Sequence, residues 1–245
     1  MTGSAFPAAT WIPYCGTAPE PTGWLGAWNV DVVLLALVSA AVVFAVRTDP
    51  ARTRSSLMAA AVFLVLYVSP LCAMGSALFT VRALHHVALA LVLAPLLVRA
   101  SDLERLAERC SFPVLTALQA VVFWFWHAPP AYAAALSSDI VFWIMQASLI
   151  ATAALWWAAL RRAEAPAAVA MSLATMVQMG ALGALLTFAG RAFYAPHNLT
   201  TQAWGWTPLE DQQIAGLIMW APASAAYLLV ALAILYRSMQ PALAR

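Results

Sequence analysis

Apolar runs of similar length alternate with short polar breaks along almost the whole chain. A helix that crosses a hydrocarbon layer needs roughly 20 mostly apolar residues, with a lower limit near 17. Seven stretches meet that need: Asn29 to Val46, Ser56 to Leu71, Ser76 to Val98, Phe112 to Ala134, Ile140 to Leu160, Ala167 to Gly190 and Asp211 to Tyr236. The pattern predicts an all-α fold, a polytopic transmembrane helix bundle of about seven spans, with residues 1–245 as a single transmembrane domain. Residues 1–28 lead into it, and residues 191–210 form a long link between the last two helices. Pro70 cuts the second stretch short, and SPLCAMGS reads as a tight turn or short re-entrant stretch.

Composition agrees with the pattern. The chain is 64% hydrophobic and 9% charged, more apolar than a soluble domain of 245 residues requires, and the excess suits lipid-facing side chains. A net charge of +2 is too small to suggest a nucleic-acid partner, and none is expected. The N-terminus lacks a basic region followed by an apolar run, so no cleavable signal peptide is expected. All 12 basic residues are arginine, and only Arg82 and Arg191 lie outside the alternate loops and C-terminal tail that hold the rest. By the positive-inside rule those loops face the cytoplasm. The N-terminus is then outside and the C-terminus inside, as an odd number of spans requires. Residues 1–28 become an external segment and residues 191–210 an external loop.

With orientation set, helical rise of about 1.5 Å per residue places the polar residues by depth. His85 and His86, His127, Gln146, Asp211 and Gln212 all fall in the outer half, with His197 in the loop above them. Ionisable residues inside a membrane are costly and point to function. Imidazole suits copper, iron and zinc, whereas thiolate and thioether select Cu(I). His86, His127, His197, Cys72, Met74 and Met145 therefore make up a candidate soft-cation set. His86 and His127 are expected to face each other across the outer half. His85 points about 100° away from His86.

The same residues also have ordinary roles. A histidine in a membrane helix often bonds to a neighbouring helix. Asp211 at a helix start suits capping. Met171, Thr175, Gln178 and Met179 share a helix face that suits packing, with Gln178 bonding across helices. Gln212, Gly216, Met219, Trp220 and Ala223 share another, where Gly216 and Ala223 permit close helix approach. Trp11, Trp24, Trp28, Trp124, Trp126, Trp204 and Trp206 suit an interfacial belt. Cys15, Cys72 and Cys110 fit no zinc spacing. A disulfide could use only two of them, so no disulfide framework is expected.

Several stretches, in order, carry a resemblance: PYCG at Pro13 to Gly16, VSPLCAMGSALF at Val68 to Phe79, HHVALALVLAPLL at His85 to Leu97, and WFWHAPPAY at Trp124 to Tyr132. They continue with QMGALGALLTFA at Gln178 to Ala189, YAPH at Tyr194 to His197, and LEDQQIAGLIMWAP at Leu209 to Pro222. In these the chain resembles the CtaG-type cytochrome c oxidase assembly factors of bacteria. The resemblance implies a multi-pass protein of the bacterial plasma (inner) membrane. Its implied work is to mature haem–copper oxidases by helping copper, as Cu(I), reach the catalytic subunit. The cytochrome c oxidase catalytic subunit, membrane lipid and a periplasmic copper carrier are the partners expected, with no enzymatic turnover. The sequence departs from the family at Arg82 and Gln146, where related sequences often carry histidine. A metal site built from all those histidines is therefore not intact here. The competing readings are a copper transporter or channel, which needs a polar path through the inner half, and a haem-binding redox protein using His86 and His127 as axial ligands.

Overall fold

The computed structural model describes the backbone of residues 12–243 and the side chains of residues 12–240; Trp11 of the expected belt lies outside that range. Among the described residues every regular element is helical. We number the helices α1 (Val32–Thr48), α2 (Thr53–Tyr67), α3 (Pro70–Ala77), α4 (Phe79–Ala100), α5 (Leu103–Ala107), α6 (Phe112–His127), α7 (Pro129–Ala135), α8 (Asp139–Arg162), α9 (Ala165–Thr187) and α10 (Pro208–Gln240). Four of these, α4, α8, α9 and α10, are long and apolar enough to cross a membrane alone. The bent pairs α2–α3 and α6–α7 bring the number to six, and α1 is a further apolar helix of 17 residues.

Two expected spans are thus broken, and prolines account for both breaks. Pro70 opens α3 after a bend of 42°. Pro129 holds Ala128 in an extended conformation, so the expected single helix from Phe112 to Ala134 ends at His127 and turns by 77°. A third interruption has no proline. Leu78 adopts φ −126°, ψ 128° and separates α3 from α4. Pro222 lies within a π turn, Met219–Ala223, in α10, and another π turn, Leu89–Leu93, precedes Pro95 in α4. A proline removes one backbone donor, and the wider turn absorbs the fault. Trp157 Nε1 donates to the Ala90 carbonyl (2.7 Å) and Ser224 Oγ to that of Met219 (3.0 Å), so a carbonyl in each π turn is satisfied.

The two ends of the bundle differ in chemistry. At one end Arg52 pairs with Asp102 and Arg161 with Glu104, which brings three of the arginine-bearing loops together. Exposed pairs of this kind contribute little stability, but they show that these loops share one face. At the other end the N-terminal segment is pinned down. Tyr14 stacks on Phe142 and its hydroxyl donates to Asp31, the N-cap of α1. Burial and this carboxyl push Tyr14 up to about 12, while the Tyr14 hydroxyl and the Leu34 N–H hold Asp31 below the usual carboxylate range. Asn29 donates to the Tyr67 and Val68 carbonyls at the end of α2. Trp204 Nε1 donates to Pro19 O (3.1 Å).

These anchors bring Cys15 to Cys72, and the two form a disulfide with Cα atoms 5.3 Å apart. The count of three cysteines left room for one pair but no framework, and the structure forms that one pair. Two of three cysteines are enough when chain packing presents them, and a separation of 57 residues hides the pairing from spacing rules. Closing a loop of that length stabilises by about 4 kcal/mol in the chain-entropy picture.

Candidate functional site

Breaking a helix in a low-dielectric interior exposes backbone groups that must find partners. At Leu78 the partners come from far along the chain. The Asp211 carboxyl accepts from the backbone N–H of Phe79 (2.6 Å) and Thr80 (3.0 Å), and Thr80 Oγ1 donates to Asp211 O (2.8 Å). On the other side of the break, the Ala77 carbonyl accepts from Thr200 Oγ1 (2.6 Å) and lies 3.4 Å from His197 Nδ1. At Ala128 the His127 carbonyl accepts from the Tyr194 hydroxyl (2.9 Å). The loop between α9 and α10 thus closes both breaks. Asp211 caps, but it caps α4 rather than its own helix. The start of α10 carries a separate capping box between Thr207 and Glu210. Gln212 accepts from Phe193 N–H (2.7 Å) and donates to Arg191 O (3.2 Å), holding the loop's first turn.

Beneath these caps lies a buried polar layer. His86 and His127 face each other with ring centroids 5.6 Å apart, nearly perpendicular. His85 turns to Tyr67, edge-on at 5.0 Å, and both of its ring nitrogens lack protein partners. His127 Nδ1 lies 2.7 Å from the Phe123 carbonyl, which sets the proton on Nδ1 and leaves the Nε2 lone pair free. Tyr67 donates to Gln146 Oε1 (2.9 Å), and the Gln146 amide lies 3.4 Å from His86 Nε2. Arg82 is fully buried. Its Nε donates to Gly75 O (3.3 Å) and its guanidinium sits over the Phe142 ring, while both terminal nitrogens lack protein partners. A Cβ on Gly75 would meet that guanidinium at 2.9 Å, so a larger residue there has to displace the end of the Arg82 side chain.

His86 and His127 also line a largely enclosed cavity of about 30 Å³. Five helices meet there: His86 comes from α4, Gln119 and His127 from α6, Thr152 from α8, Met179 from α9 and Met219 from α10. Both π turns reach it, through Leu89 and Ala90 on one side of the chain and Met219 on the other. Such turns are common at functional sites.

The remaining candidates lie elsewhere. Cys72 is half of a disulfide and offers no thiolate. His197 bonds Tyr132 (2.7 Å), and burial pushes its imidazole down to about 3, which keeps it neutral. Met74 sits on α3, and Met145 is packed in the apolar cluster around Cys72, Leu89 and Leu93. Gln178 accepts from Trp124 Nε1 (2.6 Å) across α6 and α9. Sequence reasoning assigned Met179 and Met219 to packing, and it did not select Tyr67, Tyr132 or Tyr194. The signal available for Met219 was its place just before Pro222, where a helix has to open.

A family model for the cytochrome c oxidase caa3 assembly factor (Caa3_CtaG) matches residues 32–240. The chain belongs to this assembly-factor family. The match takes in α1 to α10 and every residue of the buried polar layer. No curated protein and no solved structure matches the chain. Arg82 and Gln146, at the two positions where the resemblance implies histidine, both have structural roles in this assembly factor. Arg82 seats on Gly75, and Gln146 links Tyr67 to His86.

Proposed function

We propose that this assembly factor binds Cu(I) at the outer side of the bacterial plasma membrane and helps it reach the catalytic subunit of the haem–copper oxidase. The observation that carries the reading is the meeting of His86 and His127 at one largely enclosed cavity within a chain of this family. Its role is to bind and hand over, with no turnover chemistry of its own. A periplasmic copper carrier would supply the ion. Two alternatives have less support. A transport path has to cross the inner half, where Trp156 and Tyr227 are both fully buried and pack edge to face at 5.6 Å. A haem macrocycle needs far more room than about 30 Å³, since sites for organic ligands run to roughly 300–1,000 Å³.

The topology in this proposal has seven spans: α1, α2–α3, α4, α6–α7, α8, α9 and α10, with the N-terminus outside. The Cys15–Cys72 disulfide supports this orientation, because disulfides persist in oxidising compartments and this one lies at the end opposite the arginine loops. Cys110 is the one free cysteine among the described residues, is exposed, and falls on the proposed cytoplasmic side. An impermeant maleimide should leave intact cells unlabelled and label one thiol per chain after permeabilisation. Labelling of Cys110 from outside would invert the orientation.

Deletion of the protein should lower haem–copper oxidase activity while oxidase transcripts persist, and added copper should restore part of that activity. Full oxidase activity in a deletion strain with no paralogue expressed would remove the assembly role. Loss of activity that copper leaves unchanged at every dose would separate assembly from copper handling.

A further inference from the structure

We infer that the largely enclosed cavity is the cargo site itself, and that Met179 and Met219 complete it, giving Cu(I) a donor set of two imidazoles and two thioethers. This rests on the copper reading above and adds the ligands. Thioethers select soft Cu(I), and imidazole accepts it as well. The cavity lining holds no carboxylate and no thiolate, so every donor is neutral. Neutral donors in a low-dielectric interior favour a monovalent ion, because a divalent ion there would keep more uncompensated charge. Arg82 strengthens that choice. It lies one helical turn before His86 on α4, and its positive charge repels a divalent ion twice as strongly as a monovalent one.

The size and the orphaned atoms fit the same occupant. A volume of about 30 Å³ suits one small ion and excludes an organic cofactor. His127 presents Nε2, since its Nδ1 is engaged by Phe123 O. His86 Nδ1 is buried without a protein partner. Gln146 can serve either tautomer of His86: its N–H donates to a bare Nε2, and after a half-turn, in which the Tyr67 hydroxyl changes from donor to Oε1 to acceptor from the amide NH2, its oxygen accepts from Nε2–H. In the second state the lone pair sits on Nδ1. Gln146 is therefore a positioning residue, where a histidine would have been a ligand. Copper enters and leaves as Cu(I), and no electron is transferred.

The test is a Cu(I) competition titration on the purified full-length protein in detergent, using a chromophoric Cu(I) chelator and ascorbate, together with X-ray absorption of the loaded protein. Wild type should bind one Cu(I) per chain with both nitrogen and sulfur neighbours. The M179L/M219L double variant conserves side-chain volume, which favours folding, and its melting temperature provides the check. It should bind at least about 10–100-fold more weakly, the scale on which outer-layer losses already act, and should lose the sulfur neighbours. Met58→Leu, on the exposed face of α2, should bind as wild type does. Unchanged Cu(I) affinity in M179L/M219L, with the wild type still loading one ion, would overturn this ligand set and leave the copper reading standing. A wild type that binds no Cu(I) would overturn both.

Discussion

Exchanging Asp211 for alanine should cost the protein about 3–6 kcal/mol of stability, from two buried hydrogen bonds to a carboxyl at about 1.5–3 kcal/mol each. The bonds are those to the Phe79 and Thr80 N–H groups, which have no helical partner because Leu78 interrupts the helix. Total stabilities of roughly 5–15 kcal/mol leave little margin for such a loss. Asp211→Asn is the informative companion. Its oxygen can accept from one N–H, but its NH2 meets the other donor, so about half of the effect should remain. Thermal unfolding of the detergent-solubilised protein measures both. An Asp211→Ala variant that melts with wild type would show that water or a relaxed backbone replaces the carboxyl.

Gly183→Ala and Gly216→Ala should each destabilise the contact between α9 and α10. A Cβ on Gly183 would lie 2.5 Å from Trp220 N and 2.7 Å from Gly216 O. One on Gly216 would lie 2.5 Å from Thr187 Oγ1 and 2.7 Å from Gly183 O. Backbone atoms cannot step aside as a flexible side chain can, so the helices must part. Overpacking of this kind costs about 3 kcal/mol at its upper range. The gain in helix propensity is only about 1 kcal/mol, so the net loss is about 2 kcal/mol. Met219 lies between Gly216 and Trp220, so oxidase maturation should fall along with stability. Gly190 has no atom near its missing Cβ, and Gly190→Ala should behave as wild type in both measurements. If the two buried glycines tolerate alanine as Gly190 does, the close approach is not needed.

The helices were legible because hydrocarbon imposes a length and an apolar composition that few other environments require. Pro70, Pro129 and Pro130 marked two breaks for the same local reason, a missing donor and a restricted preceding residue. The break at Leu78 carried no such mark. Its cause lies in Asp211 and Thr200, more than 120 residues away, which make an interrupted helix affordable there. The disulfide escaped for a similar reason, since spacing says nothing about two cysteines brought together by Tyr14 and Asn29. Within the site, histidines stood out because a membrane interior disfavours them. Met179 and Met219 did not, because a methionine facing a core and one facing a cavity look alike in one dimension.

The caps at Leu78 also set an order of events during synthesis. Asp211 follows Thr80 by 131 residues, which at about 5–20 residues per second is a delay of roughly 7–26 s. For that interval the first helices are in or near the membrane with open N–H and C=O groups that lipid cannot satisfy. The insertion machinery must shelter the gap in protein or water until α10 is released. Helix α10 therefore acts as a keystone for helices made long before it.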